Sequence, residues 1–196
     1  MTPAQQNPLL GVFWMLLTGL CFIAVTALVK VLGTRIPAPE AAFLRYILGL
    51  VFLIPFLGSL RIIKLDRATL KLFGWRGLAH TLAVSLWFFA MARIPIADVT
   101  AMNYLSPIYV TIGAALFLGE RLALRRIIAV LAALLGALII LRPGIREVGP
   151  GHIAMIFTAI LMGASYLMEK LISARCSAGV VVAMLSLSCT IGLMPI

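Results

Sequence analysis

Arg45 stands inside "AAFLRYILGL", residues 41–50, and about fourteen uncharged residues follow it, as far as Ser59. A permanent cation in such a run has two uses. It can lean out to water along its apolar stem. Or it can face the inside of a helix bundle, where its fixed fork of donors would pair with a carboxylate or phosphate, or orient carbonyls near a broken helix. A second candidate is the stretch "ADVTAMNYLSPIYVTIGAALFLGERL". Pro107 there removes one backbone hydrogen bond and clashes with the carbonyl of Asn103. A freed carbonyl is costly in lipid unless it faces protein or a water-filled cavity. Thr100, Asn103, Tyr104, Pro107 and Thr111 follow helical spacing and form one semi-polar stripe. The stripe either lines a cavity or acts as interhelical glue. In "HTLAVSLWFFAMARIP", His80 and Trp87 are seven residues apart and share a face. An intramembrane ionisable group is a functional candidate, although neutral histidine also bonds between helices. Trp87 fits an interfacial belt or an aromatic wall for a planar molecule. Further along, Thr158, Ser165, Tyr166 and Glu169 share one apolar run, with Glu169 expected to form a solvated pair beside Lys170. The substrate-binding candidates are therefore Arg45, His80, Trp87, Asn103, Tyr104, Pro107 and Tyr166. Their chemistry is recognition, not bond-making.

These residues need a membrane-spanning frame. The chain has 196 residues, 63% hydrophobic and only 11% charged, where soluble domains carry about a quarter charged. Mean hydropathy is +1.16. Seven apolar runs are long enough to cross a bilayer, at 9–32, 40–58, 73–91, 97–118, 125–141, 152–172 and 177–196. The runs are too long and continuous for barrel strands. The expected fold is an all-α bundle of about seven transmembrane helices. In the fifth, Ala129, Ala133 and Ala137, with Ala132 and Gly136 beside them, form a small-residue packing face.

Net charge is +10, but its placement argues for topology rather than nucleic acid. Arg61, Lys64, Arg67, Lys71, Arg76, Arg121, Arg125, Arg126, Lys170 and Arg175 fall in alternate loops. The other side holds Lys30, Arg35, Arg93, Arg142 and Arg146. The positive-inside rule then puts the N-terminus in the cytoplasm of an inner-membrane protein. The start, "MTPAQQNPLL", lacks a basic n-region, so no cleavable signal is expected. Cys21, Cys176 and Cys189 suggest neither a disulfide nor a metal site.

A shift of 140 residues aligns two stretches without gaps. Gly11, Met15, Thr18, Ala24, Lys30, Arg35, Ala38, Leu53 and Pro55 meet Gly151, Met155, Thr158, Ala164, Lys170, Arg175, Ala178, Leu193 and Pro195. Chance would give about four such identities in an apolar chain. Shared membrane-helix composition is the competing account. Five spans separate the copies, so the second enters the membrane inverted, as in secondary transporters. This divides the chain into a five-helix repeat, 9–141, and two helices of an incomplete second repeat, 152–196.

The run "ADVTAMNYLSPIYVTIGAALFLGERLALRRIIAVLAALLGALIILRPG" resembles the end of the first repeat in the EamA-type drug/metabolite transporter (DMT) superfamily. The matching features are Pro107, the Gly119–Glu120 pair closing span four, and Gly136 in span five. "LVKVLGTRIPAPEAAFLRY" resembles the first two spans of that repeat, with Arg45 at the position of its arginine. "GHIAMIFTAILMGASYLMEKL" resembles the start of the second repeat. The resemblance implies ten helices in two inverted five-helix repeats, and export or uptake of small organic metabolites. The spacing in "KVLGTRIPAPEAAFLR" is similar to the branch that includes S-adenosylmethionine and riboflavin carriers. Three helices of the second repeat are absent, so a truncated form is expected.

No acid pair, nucleophile motif or glycine-rich phosphate loop is present, so neither an enzyme nor an ATP-driven pump is expected. No cofactor is expected. The leading expectation is a secondary transporter of small organic metabolites working by alternating access. The alternative is a truncated, non-transporting remnant, or a subunit that needs a partner to complete its bundle. The partners expected are a small-molecule substrate and the lipid bilayer, with a homo-oligomer open.

Overall fold

A computed structural model describes residues 8–32, 38–53, 66–120, 124–141 and 148–194. The described residues form α1 (Pro8–Leu32), α2 (Ala38–Leu53), α3 (Arg67–Met91), α4 (Ile96–Asn103), α5 (Ser106–Leu118), α6 (Leu124–Leu141), α7 (Pro150–Ser173) and α8 (Ala178–Gly192). No strand occurs among them. Counting α4 and α5 as one interrupted crossing gives seven spans. Ile96–Leu118 and Pro150–Ser173 are long and apolar enough to cross a membrane on their own. Parts of the expected second and seventh spans, residues 54–58 and 195–196, lie outside the described residues.

Two expectations are corrected. The third helix begins at Arg67, not at 73. Asp66 takes the N-cap position, and its carboxylate accepts the Thr69 backbone N–H at 3.2 Å. Such a cap satisfies an orphan donor and fixes the helix start. Arg67, Lys71 and Arg76 therefore ride on α3 rather than in a loop. The fourth span is not one helix with a bend at Pro107. It stops at Asn103 and restarts at Ser106, with Pro107 in the first turn of α5. Proline has no N–H for the Asn103 carbonyl and is pre-organised for a helix start. At the break the bonds tighten to the 3₁₀ kind, Tyr104 N–H to Ala101 O at 3.2 Å and Leu105 N–H to Met102 O at 3.0 Å.

The bundle is organised around α3 and α7, the most extensively packed pair. They run antiparallel, because Arg76 meets Glu169, His80 meets Ser165, and the Ala83 carbonyl meets Thr158. Helix α8 lies parallel to α3, with Gly77 against Ser188 and Gly192 against Thr81. Helix α5 lies parallel to α7, with Tyr109 seated on Gly163. A Cβ on Gly163 would come within 2.8 Å of the Tyr109 Cβ, so only glycine permits this approach. Small residues matter here because lipid is as apolar as leucine and gives helices no hydrophobic reason to associate. The expected small-residue face of α6 is only partly used: Ala137 is buried and Ala133 and Gly136 are half-buried, while Ala129 and Ala132 stay exposed. Trp87, Phe88, Met91, Met155 and Met162 fill the centre. Helix α1 is peripheral, touching α3 and α4 while leaving most of its apolar surface uncovered.

Candidate functional site

Asn103 and Tyr104 stand at the break in the fourth span. They sit at the end of α4, where the chain pauses before α5. Opposite them, α7 presents Tyr166, and α1 presents Trp14 and Phe22. These residues line an open cavity of about 600 Å³. Met15, Thr18 and Gly19 complete the α1 side. Thr18 donates its hydroxyl hydrogen to the Trp14 carbonyl at 2.8 Å, which leaves its oxygen as an acceptor. The side chains of Asn103, Tyr104 and Tyr166 bond to no other described residue. The cavity is therefore largely aromatic and apolar, with a few convergent polar groups, the usual character of a small-molecule site.

Behind this wall lies Trp87. It is only 3% exposed, so it is not part of an interfacial belt. Its ring stacks on Phe22 at 5.5 Å between centroids. Its indole Nε1 has no hydrogen-bond partner among the described residues. Arg45 packs on the same cluster, its guanidinium carbon 5.9 Å from the Trp87 centroid and 5.3 Å from that of Tyr46. The guanidinium is drawn to the negative faces of these rings. Arg45 is an exposed residue whose guanidinium lies against the aromatic cluster, and it has no carboxylate partner among the described residues. His80 does not reach the cavity. Its Nδ1 lies 3.1 Å from the Ser165 hydroxyl and its Nε2 3.1 Å from the Tyr46 hydroxyl, so it joins α2, α3 and α7. Pro107 breaks the helix and is not among the lining residues. The structure thus brings Asn103, Tyr104 and Tyr166 together at the cavity, puts Trp87 and Arg45 just behind it, and places His80 as an internal joint.

Below His80 the α3–α7 contact continues into an ion pair. Arg76 is buried, donating to Glu169 at 2.9 Å and to the Val181 carbonyl at 3.0 Å. The expected Glu169–Lys170 pair is therefore corrected. Neighbours in sequence point apart on a helix, and Lys170 turns to Glu120 instead. Glu120 is placed for this by Gly119, whose left-handed backbone, φ 66°, ends α5 and turns the Gly119 and Glu120 N–H groups onto the Ala114 carbonyl, the latter at 3.2 Å. Lys170 and Arg126 hold the Glu120 carboxyl below its ordinary range. Asp66 is likewise held low, mainly by its bonds to Thr69. These charges gather at one end of the bundle. At the other, the Gly149 N–H donates to His152 Nδ1 at 3.2 Å, so the ring hydrogen sits on Nε2, which lies 3.5 Å from Asp98.

Sequence reasoning overlooked the α1 contribution. Trp14, Thr18 and Phe22 recur every four residues, with Met15 and Gly19 beside them, a helical stripe that could have been read. It also counted Arg76 as a loop cation. The matched four-residue spacings of Arg76 and His80 and of Ser165 and Glu169 were the available signal.

Residues 9–142 match the EamA-like transporter family. The chain is 32% identical to a riboflavin transporter of Rhizobium johnstonii over 84% of its length and 55% of the relative's. It is 31% identical to a riboflavin transporter of Vibrio cholerae over 95% of its length and 64% of that protein's. It is 35% identical to a pseudopaline exporter of Pseudomonas aeruginosa over 68% of its length and 46% of that protein's. The chain thus spans about half to two thirds of the length of these curated relatives. No solved structure matches it.

Proposed function

Because the chain belongs to the EamA-like transporter family, we propose that it forms the substrate-handling part of a secondary carrier of small organic metabolites. The observation that carries this reading is the cavity of about 600 Å³ beside the broken fourth span. Interrupted helices with a site between repeats are a mark of secondary carriers. Asn103 and Tyr104 offer polar groups at the break, and Tyr166, Trp14 and Phe22 offer ring faces. Trp87 backs the aromatic wall, and His80 holds Tyr46 beneath Arg45. Pro107 keeps the break open. Alternating access then follows from two inverted repeats, 9–141 and 152–196. The 140-residue spacing of the starts of α2 and α8, Ala38 and Ala178, supports that division. Riboflavin is the first substrate to try, since two relatives carry that name.

The bundle end rich in Arg67, Lys71, Arg126, Lys170 and Arg175 faces the cytoplasm of an inner-membrane protein, with the N-terminus on the same side. Reporter fusions after Asp66 and after Val148 test this orientation: opposite locations are expected, and a shared one refutes it. For transport, cells expressing the chain are to accumulate or expel labelled riboflavin or another metabolite of a labelled panel faster than cells carrying empty vector. Tyr104→Ala is to lower that rate. Uptake and efflux equal to the vector control across the panel would overturn the reading.

A further inference from the structure

An aromatic cavity inside a membrane protein can serve two opposite kinds of ligand. Ring faces attract cations when a carboxylate is near, and they stack flat uncharged or anionic rings when it is not. The surroundings here decide between these. Among the described residues, the cavity lining carries no charged side chain. The two carboxylates on its flanking helices are engaged elsewhere, Glu169 with buried Arg76 and Asp98, itself buried, with His152 at the start of α7. Arg45 has no carboxylate among the described residues, and it packs on the Tyr46 and Trp87 rings behind the cavity wall. The Trp87 Nε1–H, buried and unpartnered, adds a donor with no acceptor.

We infer that the cavity selects flat ring compounds that are anionic or neutral, with the acceptor edge toward Arg45 and Trp87, and that it rejects cations. This rests on the cavity being the substrate site. Arg45 sets the sign, because an unpaired unit charge near the cavity in protein-like surroundings shifts the affinity for a charged ligand on the order of tenfold. The aromatic lining sets the shape.

The test is direct binding to the purified chain in detergent, using three radiolabelled probes of one ring size: 2-naphthoate, 2-naphthylmethanol and 2-naphthylmethylammonium. Naphthoate is expected to bind on the order of a hundredfold tighter than the ammonium, with the alcohol between, two steps of about tenfold. Arg45→Gln is expected to bring naphthoate and ammonium within a few-fold of each other. Arg45→Glu is expected to reverse their order, a gain that misfolding cannot produce. Tyr104→Ala is expected to weaken all three. The inference is overturned if the ammonium binds as well as naphthoate, or if the order survives Arg45→Gln. Alcohol binding that is lost in Tyr104→Ala, with no charge order among the probes, overturns the charge class and leaves the cavity as the site. If no probe binds, the inference falls, while metabolite transport by cells is decided separately by the uptake panel.

Discussion

Removing either partner of the Arg76–Glu169 pair should have unequal effects, and the inequality tests how the α3–α7 contact is held. The Arg76 side chain is 3% exposed and the Glu169 side chain 39%. Glu169→Ala strands a buried guanidinium with one strong acceptor, the Val181 carbonyl, and with its Nε already unpartnered. Stranding one member of a buried pair costs about 3–5 kcal/mol. Water can enter where the half-exposed Glu169 stood, so the low end, about 3 kcal/mol, applies. Arg76→Met removes the buried charge itself. Its cost is the bond to Val181, about 1 kcal/mol, while the freed carboxylate hydrates. For a chain of this size the thermal midpoint in detergent should fall by about 6–12 °C for Glu169→Ala and about 2–4 °C for Arg76→Met. The assay is thermal unfolding of both variants in one detergent at one pH. A larger fall for Arg76→Met would show that the arginine acts by packing its stem rather than by pairing, and the argument would fail.

Gly163→Ala should destabilise by about 1–3 kcal/mol, because the new Cβ would meet the Tyr109 Cβ at 2.8 Å. Gly136→Ala, with nothing within 4 Å, should leave the thermal midpoint unchanged or raise it, since alanine is the better helix former; equal losses at both sites would refute the close-approach argument. Acid should loosen the end of the bundle that holds Glu120 and Asp66. Both carboxyls are held below their ordinary range, so their stabilising effect is complete above that range and is lost as pH falls through the lowered folded-state values. Thermal midpoints measured down this range should decline less steeply in Glu120→Gln than in the parent, and parallel curves would count against the Lys170–Glu120–Arg126 cluster. Cysteines at Asn103 and Tyr104 should react with water-soluble thiol reagents in membranes, while those at Ile112 and Leu116, exposed in the apolar groove between α5 and α7, should not; equal labelling would remove the reading of the cavity as water-accessible.

Much of this protein was written into its sequence, because the membrane imposes rules that act on single segments. Apolar length alone located the spans, since every backbone group in lipid must be satisfied within its own helix. Pro107 announced trouble in the fourth span for the same local reason. The resemblance carried by Pro107, Gly119, Glu120 and Gly136 pointed to the family, and the match over residues 9–142 bears it out. Asn103, Tyr104 and Tyr166 could be named as site candidates because polar groups are expensive in apolar runs. What each one does was decided by neighbours far along the chain. His80 could have faced a substrate or bonded between helices; Ser165 and Tyr46, 85 and 34 residues away, meet its two nitrogens. Arg76 looked like one more loop cation until the antiparallel docking of α7 brought Glu169 to it across 93 residues. Glu169 and Lys170, adjacent in sequence, serve different partners because a helix turns consecutive side chains about 100° apart. Depth alone left the direction of Arg45 open; the packing of α2 on α3 sets the rings of Tyr46 and Trp87 against its guanidinium while the residue stays exposed. Which segments could enter a membrane was a property of each segment. Which charges met, and what they enclosed, depended on helix faces whose pairing no single segment specifies.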